Sequence, residues 1–167
     1  MVKFKNDIEE ITPDEKGKGQ CFVLRTPEAA YELAGFLAEK CKNYPLILLG
    51  LRELLMNAIE HGNLEIGFEE KGQLIDRNIY LQELDKRLAM EPYSSRMVAL
   101  QVTKKGDEIT FVIVDEGKGF DPGPFLKMAS RRIKMAHGRG IALANNVCFY
   151  RLSYNERGNV VECAACL

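Results

Sequence analysis

The sequence predicts one domain, residues 1–167, of the α/β (α+β) class: a two-layer sandwich with helices on one face of a mixed, mostly antiparallel sheet. Three features carry this expectation. Apolar residues recur at helical spacing between positions 27 and 61. Two β-type runs, 97–103 and 108–114, flank the turn Lys104-Lys105-Gly106-Asp107. A second hairpin, 149–154 with 160–165, turns at Asn155-Glu156-Arg157-Gly158-Asn159.

The elements follow in order. After a polar leader, Gln20-Cys21-Phe22-Val23-Leu24-Arg25 reads as a short strand, because such side chains suit a pleated, half-buried surface. Thr26, Pro27 and Glu28 then supply a hydroxyl cap, a first-turn proline and an acid at the positive end of a helix dipole, predicting a helix to about Cys41. Pro45 opens a second helix through His61, with Ile47, Leu51, Leu54, Leu55 and Ala58 on one stripe and Gly62 as its stop. Residues 64–96 are more polar and read as an insertion or arm, with a helix over 74–90 ended at Glu91-Pro92. Glycines crowd positions 117, 119, 123, 138 and 140 before a short apolar helix that starts near Ile141.

Composition bounds the function. With 167 residues, 46% hydrophobic and 28% charged, the chain can bury a core without staples and resembles neither a disordered nor a fibrous protein. Lys plus Arg number 23 against 24 Asp plus Glu, so the net charge of -1 creates no field to gather nucleic acid. Residues 2–7 lack the apolar stretch of a signal peptide, and no uncharged apolar run reaches membrane-spanning length, so a cytoplasmic location with no membrane partner is expected. The five cysteines are an odd set, expected to be reduced thiols. Cys163-x-x-Cys166 has no second such pair and reads as part of a terminal strand rather than a redox or metal motif.

Three stretches carry chemistry. In 53–63, Glu53, Asn57 and Glu60 or His61 recur at four- and three-residue steps, placing a polar stripe beside the apolar one; a solvated helix face is the plainer reading. In 112–122 an apolar strand delivers Asp115 to its end and breaks into Gly117 and Gly119. A carboxylate there can accept from an exocyclic amine, and glycines let the backbone approach a flat base, although an Asp-capped turn looks the same. In 138–146, Gly138-Arg139-Gly140 precedes an apolar helical start, offering free N–H groups to a phosphate, or merely joining loop to helix. This is neither a P-loop, since Gly-Lys-Ser/Thr is missing, nor a dinucleotide fingerprint.

In this order, and on a helix, a strand end and a loop-helix junction, the three stretches resemble the N, G1 and G2 boxes of the GHKL (histidine-kinase-like) ATPase superfamily, whose fold is the Bergerat-type ATP-binding fold. The resemblance runs from about Leu49 to the last strand. Asn57-Ala58-Ile59-Glu60-His61-Gly62-Asn63 and Tyr154-Asn155-Glu156-Arg157-Gly158-Asn159 are similar to the anti-sigma factor serine/threonine-protein kinase branch, which likewise lacks a phospho-accepting histidine helix.

The resemblance implies ATP and Mg²⁺ as cofactors. It makes Asn57 the Mg²⁺ ligand, Glu53 the general base towards a seryl hydroxyl, and Asp115 the reader of the adenine amine. Gly117 and Gly119 would line the base pocket, Gly138 and Gly140 would wrap the phosphates, and Arg139 would add countercharge. Lys127, Arg131, Arg132 and Lys134 are read equally as nucleotide contacts or solvated surface. Where relatives of that branch place a threonine near adenine in the final strand, this chain has Val161 or Glu162. The 64–96 segment is longer than compact anti-sigma kinases require and resembles the ATPase modules associated with stress-signalling phosphatases. The partner implied is a sigma factor or a small antagonist protein, with a homodimer left open. The alternative is a non-catalytic, nucleotide-responsive protein-binding module, which needs Asn57 and Asp115 but not Glu53 as a base. A plain ATP hydrolase with further transducer modules fits the length of the chain less well.

Overall fold

The computed structural model describes residues 4–11, 19–126 and 139–167. Six strands form one sheet: β1 (Ile8–Ile11), β2 (Gln20–Leu24), β3 (Val98–Lys105), β4 (Glu108–Val114), β5 (Arg151–Tyr154) and β6 (Val160–Cys166), in the order β1-β2-β3-β4-β6-β5. Every pairing among the described residues is antiparallel. The two-layer arrangement expected from the sequence is therefore present, and β1 extends it into the stretch read as a polar leader.

Alternation fixes the faces. β3 buries Val98, Leu100 and Val102, and β4 buries Ile109, Phe111 and Ile113. The register sets Leu100 opposite Ile113 and Ile113 opposite Val161, while Phe111 stands between Val102 and Cys163, so apolar rows cross the sheet on one side only. Two helices cover that side. α1 (Pro27–Ala38) starts where Thr26 Oγ1 accepts from the Ala29 N–H at 3.3 Å, and buries Ala29, Ala30, Leu33, Ala34 and Leu37. α2 (Tyr44–Asn57) buries Ile47, Leu51, Leu54 and Leu55. Each such leucine contributes roughly 1.5–3 kcal/mol, so the apolar stripe locks the rotation of α2 and with it the direction of the polar stripe.

α2 runs on through a wider π-type turn, Ala58–Asn63. The arm holds two helices instead of one: α3 (Phe68–Asp76) and α4 (Tyr80–Ala89), separated at Asn78, whose φ of 55° suits a short polar residue better than a continuing helix. The arm is tied down by charge. Glu60, 2% exposed, accepts from Lys71 Nζ of α3 through one carboxylate oxygen and from the Tyr80 hydroxyl of α4 through the other. α5 (Gly123–Leu126) and α6 (Gly140–Leu143), the latter followed by a π-type turn Ala144–Cys148, flank residues 127–138. The expectations on Gly138, Lys127, Arg131, Arg132 and Lys134 lie outside the described residues. Among the described residues no helix is long and apolar enough to cross a membrane.

Candidate nucleotide site

The polar stripe of α2, the end of β4 and the start of α6 meet at one cavity of about 900 Å³. Glu53, Asn57, Asp115, Gly119, Arg139 and Gly140 all line it. Residues as far apart in sequence as Glu53 and Gly140 converge because their backbones pack too closely for side chains. A Cβ on Gly62 would stand 2.4 Å from Asp115 Cγ, and one on Gly117 would stand 2.3 Å from the Gly62 carbonyl oxygen, so the π-type turn and the β4 end are glycine against glycine. A Cβ on Gly140 would fall 2.0 Å from Glu53 Oε2, so only glycine lets the first turn of α6 sit on that carboxylate. Gly117 does its work behind the cavity wall, against Gly62.

The loop after β4 is braced by the last hairpin. Asn155 Oδ1 accepts from the N–H groups of Gly158, Asn159 and Val160, at 2.8, 3.1 and 3.1 Å, folding the turn on itself. From that turn Arg157 donates to the Gly117 carbonyl at 2.9 Å, and its own carbonyl accepts from the Phe120 N–H at 3.0 Å. Gly119 passes through this brace at φ 81°, where a Cβ would be 2.0 Å from the Arg157 carbonyl oxygen. Arg157 therefore positions the loop. In the sequence Arg157 is one residue of the 154–159 turn, with no local sign of this role.

Two electrostatic ends result. Asp115 Oδ1 accepts from the Gly117 N–H at 2.9 Å, yet burial outweighs that bond and pushes its carboxyl up to about 6. Around it stands an aromatic wall, Tyr154 with Phe120 at 5.4 Å, Phe120 with Phe125 at 5.7 Å, and Phe125 with Phe68 of the arm at 6.2 Å between ring centroids. At the other end Glu53 is also raised, first by burial and further by Glu60, while Lys71 and Arg139 pull it down. Gly62, the residue that touches Asp115, lies nine positions beyond Glu53 along α2 and its π-type turn, so the two ends lie roughly 10–13 Å apart, at no more than the α-helical 1.5 Å per residue.

The register settles the last-strand position. Val161 lines the cavity opposite Ile113, whereas Glu162 accepts from Arg151 at 2.6 Å on the other face of the sheet. A buried Cys163 and an exposed Cys166, three residues apart on one strand, fall on opposite faces.

Residues 26–164 match the family model of the histidine kinase-like ATPase domain, and the chain belongs to this family. No curated protein matches it. Membership implies that the chain binds ATP. The donor set fits: a carboxylate able to accept from an amine at the aromatic end, and at the other a hard oxygen donor, the Asn57 amide, beside the Glu53 carboxylate.

One test bears on Asp115 alone. A carboxyl whose folded value is raised favours its protonated form when folded, so stability falls as pH rises from about 4 to about 6, and the ionised group costs stability above that. Asp115→Asn should therefore make the ligand-free protein more stable at pH 7 by about 1–2 kcal/mol, allowing for partial exposure, while weakening adenine nucleotides. Thermal melting with and without ADP at pH 5 and pH 7 reads both effects. A variant that melts lower than wild type at pH 7, or binds ADP equally well, contradicts the assignment.

Proposed function

We propose that this chain is a Mg²⁺-dependent ATP-binding regulatory protein of the anti-sigma factor serine/threonine-kinase type, transferring the γ-phosphoryl group of ATP to a seryl or threonyl hydroxyl of a small antagonist protein. The observation that carries the reading is Glu53: a carboxylate of raised basicity, one helical turn from Asn57, in the same cavity as Asp115 and at the opposite end from it. Asp115 accepts from the adenine amine between Val161 and the aromatic wall, leaving the phosphates towards Glu53 and Gly140.

Asn57 would hold Mg²⁺ through its neutral amide oxygen, and an ion held there would supply charge neutralisation at the phosphate oxygens. Glu53 orients the seryl hydroxyl and takes its proton as the seryl oxygen bonds to the γ-phosphorus. The bond from that phosphorus to the β,γ-bridging oxygen breaks, its electrons stay on ADP, and the products are the phosphoseryl protein, ADP and a protonated Glu53. Arg139, which lines the same cavity, offsets charge during transfer.

The reading is tested with wild-type protein and γ-labelled ATP, using as acceptors proteins encoded beside it. Label should appear on serine or threonine, and ATP at a hundred times its Kd should stabilise the fold by about 2.7 kcal/mol. Stabilisation without transfer to any co-encoded acceptor would favour the nucleotide-responsive binding module, and no stabilisation would reject the nucleotide itself.

A further inference from the structure

We infer that Lys71, supplied by the 64–96 arm, is a γ-phosphate ligand that makes the site prefer ATP to ADP. The inference rests on the proposed nucleotide orientation and adds to it a residue outside all three sequence boxes. Lys71 completes the first turn of α3 and lines the cavity together with Glu53 and Asn57. Its position along the cavity follows from its anchor, Glu60, about one turn beyond Asn57 on the stripe that begins at Glu53, and charge agrees. Of the charges acting on Glu53, that of Lys71 is the strongest, whereas Asp115 feels Arg157 and Arg96 instead. Lys71 thus belongs to the Glu53 end, where the terminal phosphate is expected.

Its bonding leaves capacity for a ligand. An ammonium group has three donors, and among the described residues Glu60 is the one hydrogen-bond acceptor Lys71 has. Its side chain is 21% exposed against 2% for Glu60, so the pair is buried on the Glu60 side and open on the lysine side. Glu60 fixes the lysine's reach: held also by the Tyr80 hydroxyl, it anchors Lys71 at the cavity wall instead of letting a flexible stem extend into water. The pair is close to neutral with the cavity empty of phosphate. A dianionic terminal phosphate beside it gains two charge-assisted donors, which a diphosphate ending short of Glu53 does not.

The arm is otherwise well secured, so a change at Lys71 is separable from loss of the arm. Arg87 of α4 donates to the Leu64 carbonyl at 2.8 Å and pairs with Glu70 of α3, and Phe68 meets Phe125. Removing Lys71 alone would strand the buried Glu60 carboxylate, so the informative variant removes both charges together.

The experiment compares wild type, Glu60→Gln and the double variant Glu60→Gln with Lys71→Met, by calorimetry with Mg²⁺, ADP and the non-hydrolysable β,γ-imido analogue of ATP. Relative to Glu60→Gln, the double variant should lose roughly ten- to a hundredfold in affinity for the imido triphosphate, the range for charged hydrogen bonds, and keep its affinity for ADP. Glu60→Gln alone frees Lys71 from its carboxylate and should raise the triphosphate-to-diphosphate affinity ratio above that of wild type. Equal losses for both nucleotides, no loss for either, or a ratio that Glu60→Gln leaves unchanged or lowers would overturn the inference and leave Lys71 as a partner for Glu60. Wild type that binds neither nucleotide would reject the proposed function itself, a result distinct from all of these.

Discussion

Glu53→Gln should lower phosphoryl transfer by about a hundred- to ten-thousand-fold, the usual worth of general-base assistance, with nucleotide affinity retained. The amide keeps the shape of the carboxylate against Gly140, where 2.0 Å from a hypothetical Cβ to Oε2 leaves no room for a larger group. It removes only the proton acceptor. Loss of activity through unfolding is not expected, because burial already disfavours the charged form and a neutral isostere relieves that cost. The same burial sets the pH profile. A base must be ionised, so transfer falls as pH drops through the Glu53 pKa, and since that pKa is raised the acid limb should lie above the ordinary glutamate value of about 4.3. Initial rates against pH for wild type and variant, with ADP affinity measured in parallel, check both statements. A variant that transfers phosphate at the wild-type rate would reduce Glu53 to part of a polar helix face.

Much of the frame was legible because local chemistry and tertiary structure agree. Thr26 caps α1 as its sequence predicts, and the 98–114 hairpin alternates inward and outward residues as its period requires. Asp115 stands where the apolar run of β4 ends. β1 was not legible, because Ile8-Glu9-Glu10-Ile11 has no strand pattern of its own and is a strand by virtue of pairing with β2. Lys71 was invisible for a similar reason. On α3 it is one charged residue in a polar helix, and only the fold of the arm carries it to Glu60 and the cavity. The choice between Val161 and Glu162 likewise needed the β4–β6 register, since neighbouring residues on a strand face opposite ways. The mutual approach of Gly62, Gly117 and Asp115 is the clearest such case. Each glycine has a plain local reading as a stop or turn, and their shared purpose, to bring the N and G1 boxes into contact, exists only between segments fifty residues apart.

Asn57→Ala should remove the Mg²⁺-dependent part of ATP affinity. The loss expected is at least about a hundredfold, since even residues that merely support a metal ligand are worth ten- to a hundredfold. Asn57 closes the regular part of α2, where alanine is the best helix former, so the fold should survive. Its side chain lines the cavity one turn beyond Glu53, near enough for one ion to contact both the amide oxygen and a phosphate beside the base. Magnesium demands near-octahedral oxygen coordination and keeps most of its waters, so a single protein oxygen at a fixed place decides where the ion and its phosphates sit. Asn57→Asp supplies the control, because it retains an oxygen at that place and should keep Mg²⁺-dependent binding where alanine does not. The measurement is ATP affinity for the three proteins with Mg²⁺ and with EDTA. With EDTA, wild type and Asn57→Ala should converge on one weak value, as the contacts of adenine with Asp115 are untouched, and Asn57→Asp should bind no more tightly, since its added negative charge faces the phosphates. If Asn57→Ala binds ATP with Mg²⁺ as tightly as wild type, the ion is held elsewhere and the polar stripe of α2 reduces to Glu53 alone.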